Sequence, residues 1–496
     1  MHRYHNIRSR LILLNLFIFI WSCCFLATCS KDEKKDTKPP KVQLTVSIGK
    51  GIEGHPQSGK TQHDTGMLIN YGYRTLEGYI NLLITLDGKE ITNDSSFIMN
   101  KDHSLMAEAE QKMLWKFTTN LPPYFSTPVI GNDKTVYFTT GIYYTDKGML
   151  YALSRDGTLK WSFAHNTALF SPVIGEDGNI YVQDFYNQVL SFSPSGNPGW
   201  TYSQFLTHDF ENVGQRCPAI GSDGTIYIGG CGLHALDPVT GTRKWVFSEG
   251  ATVRSSPSIG SDGTIYIVLR GSDLTAVKAD GTQKWQNKFT DPSEMTFTSP
   301  TIDQNGTIYL GAEGKNQGIY YSIIYAFNPD GTIKWKYPVE GGRFVRALPT
   351  IDSNGNIIVT TRANELANPA RIISISPGGT KEWDYTIENV HSTPDDIYST
   401  PAIDNNRLVY FGAETGYLYV LNPNGTLNYK YQLPCAINWS SPTITSDGIL
   451  YIGGIATFIS NPGFFVAIKV SGTDYAVTPW PKFRHDNRNS GRFGVK

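Results

Sequence analysis

Past residue 40 the apolar positions fall in short runs that alternate with polar ones. In Lys41-Val42-Gln43-Leu44-Thr45-Val46-Ser47 the even-numbered side chains are apolar, the period of a strand with one buried face. Similar runs recur at 67–71, 82–86 and 104–107, separated by Gly49-Lys50-Gly51, Asp87-Gly88 and Asn93-Asp94. Glycine supplies positive φ at such places and Asn or Asp bonds the nearby backbone, so each reads as a turn. The pattern predicts a compact antiparallel β module over 41–110, ahead of a longer β domain.

From Trp115 onward the pattern repeats as a whole unit. A short residue and a proline open each copy: Thr127-Pro128, Ser171-Pro172, Cys217-Pro218, Ser256-Pro257, Ser299-Pro300, Leu348-Pro349, Thr400-Pro401 and Ser441-Pro442. The prolines advance by 44, 46, 39, 43, 49, 52 and 41 residues, about 45 on average, which is the period of four-stranded propeller blades. Within a unit, 256–267 carries two strand-length runs around Asp262-Gly263, and 274–277 and 281–285 supply two more. Asp-Gly gives the positive φ of a tight hairpin. The expected fold class is therefore all-β: a small N-terminal domain, an eight-bladed β-propeller over 111–472 and a C-terminal tail over 473–496 packing on it.

Trp161, Trp200, Trp245, Trp285, Trp335 and Trp383 recur on the fourth strand, four residues after a glycine, with Tyr429 in the seventh unit. A large ring at that place can dock one blade on the next. The eighth unit lacks such a strand, whereas Met113-Leu114-Trp115-Lys116-Phe117 stands alone before the first unit with the same signature. Lending it to the last blade would close the ring and leave no open sheet edge. Trp480-Pro481-Lys482-Phe483 is a rival for that place.

Composition narrows the function. Lys+Arg 43 against Asp+Glu 44 gives a net charge of -1, without the basic excess that displaces phosphate counterions, so nucleic acid is not an expected partner. At the start, Arg3, Arg8 and Arg10 precede a mostly apolar run over 11–27 that ends in Leu26-Ala27-Thr28-Cys29. A basic start, a short apolar run and small residues read as an export signal over 1–28. The tetrad resembles the bacterial lipobox, which implies lipid attachment at Cys29. Residues 29–40 are charged and carry nothing to bury, so a flexible tether is expected. Ser30 after the cysteine resembles outer-membrane lipoproteins, and Lys31-Asp32-Glu33 resembles the acidic surface-export tag of Bacteroidota. The orientation, periplasmic or cell-surface, stays open.

Once Cys23, Cys24 and Cys29 are set aside, Cys217, Cys231 and Cys435 remain. Cys217 and Cys231 flank Asp223-Gly224 at nearly equal distances, so they are either a disulfide across a hairpin or two buried thiols. His55, His63 and His103 lack metal-ligand spacing and read as surface residues. There is no His-Glu-x-x-His, no paired cysteine ligand set and no nucleophile elbow. Asp303-Gln304-Asn305-Gly306 reads as a turn, and Asp395-Asp396 as a solvated loop pair. The expected cofactor and metal list is empty.

Alternating strand direction sorts the loops onto two faces. Short Asp-Gly and Asn-Gly turns share one; the longer segments 141–148, 202–214, 313–321, 362–370, 384–398 and 456–463 share the other. Function on a rigid scaffold collects on such loops. They and their edges carry Tyr143, Tyr144, Phe185, Tyr186, Phe205, Phe210, Tyr320, Tyr321, Tyr398 and Phe458, aromatic groups suited to a protein interface or to stacking on sugar rings.

The repeated units resemble the pyrroloquinoline-quinone-like propeller repeat family, which includes quinoprotein dehydrogenases and a lipoprotein of the outer-membrane protein assembly machinery. The ending Trp480-Pro481-Lys482-Phe483-Arg484-His485-Asp486-Asn487-Arg488-Asn489-Ser490-Gly491-Arg492 is similar to the ends of many propellers of that family. Residues 41–110 resemble the divergent internalin-B-type bacterial repeat, a β-grasp-like module of surface proteins. These resemblances imply a monomeric outer-membrane lipoprotein that binds envelope proteins, or a glycan, without catalysis. The alternative they imply is a dehydrogenase using pyrroloquinoline quinone and calcium.

Overall fold

The computed structural model describes residues 38–123, 126–141, 147–203, 217–270, 273–288, 298–316, 319–339, 342–344, 347–363, 369–388, 395–456, 462–472, 474 and 481–492. All regular structure among them is β.

Two small sheets form the N-terminal part. One has the strand order Gly59–Asp64, Lys41–Ile48, His103–Gln111, Tyr79–Leu86, Lys89–Glu90; the other has Ile52–His55, Leu68–Thr75, Ser95–Ile98. Leu44, Val46, Ile69, Tyr73, Ile84 and Leu105 fill the core between them. The closing strand runs parallel to the first, with Leu44 opposite His103 and Ile48 opposite Ala107, so the module is mixed, not antiparallel throughout. A period of two is the same for either direction, which is why the pattern could not distinguish them. His103 is also not a surface residue. It is buried, with Nδ1 2.9 Å from Asp87 Oδ2 and Nε2 2.9 Å from Asn100 Oδ1.

The rest is a β-propeller. The first sheet, Val129–Ile130, Val136–Gly141, Gly148–Leu153 and Leu159–His165, is an antiparallel meander of four strands. The same plan recurs in sheets whose innermost strands are Val173–Ile174, Ala219–Ile220, Ser258–Ile259, Thr301–Ile302, Thr350–Ile351, Ala402–Ile403 and Thr443–Ile444. In the sixth, Gly342–Phe344 adds to the edge of Ile357–Ala363. The last sheet takes its outermost strand from Met113–Thr119, with Trp115 opposite Ala467. Across that seam Ser440 Oγ donates to Ser126 O at 2.8 Å and Thr443 Oγ1 to Pro128 O at 2.8 Å.

The repeated short residue before proline has a definite task. Proline has no N–H for the innermost ladder, and the residue before it bonds sideways. Thr127 N donates to Ser171 Oγ, Cys217 N to Ser256 Oγ, Ser256 N to Ser299 Oγ, Leu348 N to Thr400 Oγ1 and Thr400 N to Ser441 Oγ, each at 2.9 or 3.0 Å. Five of the sheets are thus tied to their successors near the axis. At the rim the fourth-strand tryptophans make a second tie. Trp161 Nε1 donates to Pro194 O, Trp200 to Pro238 O, Trp245 to Ala279 O, Trp285 to Pro329 O, Trp335 to Pro377 O and Trp115 to Arg155 O. Each acceptor belongs to the next sheet.

Candidate functional site

Hairpin turns closed by bonds such as Gly131 N to Thr135 O and Ser154 N to Thr158 O line one face of the ring. Most of the longer connections expected on the opposite face, 142–146, 204–216, 289–297, 364–368, 389–394 and 457–461, lie outside the described residues, and with them Tyr143, Tyr144, Phe205, Phe210 and Phe458. The Tyr320 side chain lies outside them as well.

The described aromatics of this face differ in availability. Tyr186 is 38% exposed and meets Phe185 edge-on at 5.6 Å, while Phe185 is buried. Tyr321 is half-buried, packed on Gly314. Tyr398 is half-buried and engaged: its hydroxyl donates to Asp396 Oδ2 at 3.1 Å, the Arg362 guanidinium lies 5.5 Å from its ring centre, and the Trp439 ring is 4.8 Å away. Trp439, which sequence reasoning passed over, has a φ of 59°, a left-handed conformation uncommon for a bulky side chain.

Asp395 and Asp396 are buried, contrary to the solvated pair expected. Asp395 accepts from Thr415 N and Oγ1 at 2.9 and 2.5 Å. Asp396 accepts from Arg362 Nε at 2.6 Å and Ala363 N at 2.9 Å. Burial pushes the Asp395 carboxyl above the usual carboxylate range, and it does the same to Glu414 nearby. Adjacent acidic residues in a polar loop look solvated in sequence; here Asp396 is held by the strand Ile357–Ala363 and Asp395 by Thr415.

Cys217 and Cys231 are free and buried, so the disulfide alternative is wrong. Cys217 precedes an innermost strand only two residues long, Cys231 opens the third strand, and Ile226–Ile228 runs between them. Two ladder spacings, about 9.6 Å, exceed the Cα separation a disulfide can bridge. Cys231 lines a cavity of about 260 Å³ with Tyr202, His234, Arg243 and Glu249. His234 sits with Nδ1 2.9 Å from Tyr202 OH and Nε2 3.2 Å from Cys231 O, and burial lowers its pKa. A lone histidine in an apolar strand gave no sign of this in sequence.

The axis is closed at the turn face by the chain's own C-terminal segment. Ile130, Ile174, Ile220, Ile259 and Ile403 donate their backbone N–H to the carbonyls of Asn487, Arg488, Ser490, Gly491 and Pro481, at 2.8–3.0 Å. Four side chains of the segment, Lys482, Phe483, Arg484 and Asn489, are fully buried. Their placement follows the inner hydroxyls. Ser258 Oγ, Thr301 Oγ1 and Thr443 Oγ1 each donate to the opening-proline carbonyl of the next sheet. Val129, Val173 and Ala219 hold the same position in the first three sheets and have no hydroxyl. The carbonyls they leave, Pro172, Pro218 and Pro257, are capped instead by Asn489 Nδ2 and Arg484 Nη2.

A quinone held with a metal cation requires a carboxylate-rich ligand set. Among the described residues no three His, Cys, Asp or Glu form a group able to hold a metal ion. Likewise among them, no helix is long and apolar enough to cross a membrane.

A family model described as outer membrane protein assembly factor BamB matches residues 104–245 and 229–450. Among solved structures the chain is similar to BamB from Moraxella catarrhalis, at 11% identity and TM-score 0.53 over 72% of this chain and 99% of that one. It is similar to a europium-containing methanol dehydrogenase, at 12% identity and TM-score 0.57 over 72% and 93%. It is also similar to the Dos1 propeller, at 11% identity and TM-score 0.52 over 74% and 97%. At these identities the likeness is one of fold. No curated protein matches the chain.

Proposed function

The chain belongs to the family described as outer membrane protein assembly factor BamB, and from that premise we propose that it is a non-catalytic envelope lipoprotein whose eight-bladed propeller is a platform for binding other envelope proteins. In this reading Cys29 carries the lipid, 29–40 is the tether, 41–110 is a spacer domain, and the monomeric body works at the outer membrane, facing the periplasm or the cell surface. The observation that carries it is the inequality of the two faces. The turn face is sealed by residues 481–492, whereas the other face carries, among the described residues, the aromatic side chains Tyr186, Tyr398 and Trp439, where a scaffold presents its contacts.

Crosslinking in intact native cells, followed by mass spectrometry of what is captured with the tagged protein, tests this. Barrel proteins or assembly factors in the capture support the platform, and replacing Tyr143, Tyr144, Tyr320 and Tyr321 with Ala should then weaken capture while leaving the chain folded. Capture of no specific protein refutes it. The second reading, a glycan binder, is favoured by the exposed Tyr186 ring, a surface on which a sugar can stack; retention on polysaccharide would support it. Quinone-dependent oxidation is the reading left for failure of both, and saturable binding of pyrroloquinoline quinone with calcium, coupled to dye reduction by an alcohol, would establish it.

A further inference from the structure

We propose that Met67, Leu68 and Ile98, at one edge of the N-terminal module, form a membrane-resting surface that dips into the lipid entered by the Cys29 anchor. This rests on the anchored-lipoprotein reading above. Leu68 and Ile98 face one another across adjacent strands. They are 54% and 55% exposed, Met67 is 48% exposed, and among the described large apolar side chains only the isolated Val239 is more open. Leu68 and Ile98 therefore adjoin, with Met67 next to Leu68 in the chain and its Sδ 3.4 Å from His63 Nδ1, where scattered apolar residues would need no explanation. It is also held in place: Met99 N donates to Met67 O at 2.8 Å, Gly66 N to Met99 O at 2.8 Å, and Met67 N to Asp64 O at 3.1 Å.

The occupant is set by where the chain enters the module. Pro40 O accepts from Thr65 N at 3.0 Å and from Thr65 Oγ1 at 2.6 Å, which pins the end of the tether two residues from Met67. Cys29 is nine residues before Lys38, a contour of about 30 Å at most. A lipid inserted at Cys29 keeps this edge near the bilayer at high effective concentration. Half-exposed Met, Leu and Ile side chains are the kind that enter the boundary between headgroups and acyl chains. Lys41, one residue past Pro40, has a side chain 63% exposed with its Nζ 4.0 Å from Asp64 Oδ1, so the entry point of the tether carries a cation at the surface.

The test uses the lipidated full-length protein in vesicles of phosphatidylethanolamine and phosphatidylglycerol. A nitrobenzoxadiazole label goes on the L68C variant, on I98C as a second position, and on V239C as a propeller reference; Cys217, Cys231 and Cys435 are buried and should not compete for label. The expected result is blue-shifted emission and protection from aqueous dithionite for L68C and I98C, with V239C unchanged. Water-like emission at both positions in protein that co-sediments with the vesicles overturns the proposal and leaves the anchor standing. Failure to co-sediment overturns the anchor reading and this surface with it.

Discussion

The Lys112 ammonium lies 5.2 Å from the ring centre of Tyr429, at the place where the tryptophan ties of the propeller stop. Trp383 packs on Gly425 in the turn of the following sheet, and every earlier tie has an equivalent glycine. The sheet after Tyr429 has no such turn, because its outermost strand, Met113–Thr119, arrives from the N-terminus. Gly472, which would have begun the turn, faces Asp404 instead. The lead-in to that strand supplies Lys112 where a glycine would be. Lys112 N and Met113 N also both donate to Gly78 O, so the seam and the N-terminal module share one junction.

Gly425→Ala should therefore be far more damaging than Gly263→Ala. Both glycines have positive φ, +81° and +78°, so both substitutions carry a backbone cost of about 1 kcal/mol. A methyl group on Gly425 would also stand 2.6 Å from the Trp383 ring, whereas nothing lies within 4 Å of one on Gly263. Equilibrium denaturation should separate the two by about 2 kcal/mol; equal losses would mean that the ring yields freely and the tie contributes little.

The repeat, the hairpin turns and the strand that completes the last sheet were legible because each rests on local chemistry repeated many times. What was missed depends on long-range placement. Nothing in Asp395-Asp396 announces that Thr415, Arg362 and Ala363 will meet it, and the Cys217–Asp223-Gly224–Cys231 symmetry hides an innermost strand only two residues long. Val129, Val173 and Ala219 read as ordinary apolar substitutions until Arg484 and Asn489 are seen to cap the carbonyls they leave. The loop-rich face was assigned from topology alone, yet sequence could not foresee that Tyr398 is engaged by Asp396, Arg362 and Trp439 while Tyr186 stays 38% exposed.

Ending the chain before Pro481 should strip the axial cap. Five inner-strand N–H groups lose their acceptors and Phe483 leaves its buried place, a loss expected to exceed about 3 kcal/mol. A synthetic peptide of residues 481–492 should restore part of it in trans, read as a rise in the thermal midpoint with peptide concentration. A truncated chain as stable as the parent would show that the segment is a passenger.

The thiols give a sharper readout of the third sheet. The soluble chain from residue 30 should take up three alkyl groups in denaturant without any reductant, and none when native. Burial pushes the Cys217 thiol up to about 11 and Cys435 up to about 12, which slows attack further because the thiolate is the reactive form. Uptake of only one group in denaturant would mean that Cys217 or Cys231 had found a bridge after all.

Stability should rise with pH between 7 and 8, and Lys482 should be the reason. Burial in the axis pulls its ammonium down to about 7 from an ordinary 10.5, against the opposing pull of Asp486 and Cys217. Its Nζ donates to Asn489 Oδ1 at 2.8 Å and to Asp486 O at 3.1 Å. Between the two values the unfolded chain holds a proton that the folded chain has shed, so the unfolding free energy climbs as pH increases and flattens near 10.5. From about pH 8 the trend is opposed, since Cys217 and Cys435 both keep their protons longer in the folded chain than in the unfolded one. The clean window is therefore pH 7 to 8, where the gain should be about 1 kcal/mol. Lys482→Met fills similar space without a charge, and urea denaturation of that variant should show the slope gone, with stability at pH 7 equal to or above that of the parent. A slope that survives the substitution would assign the effect to another group and leave Lys482 charged in the folded axis.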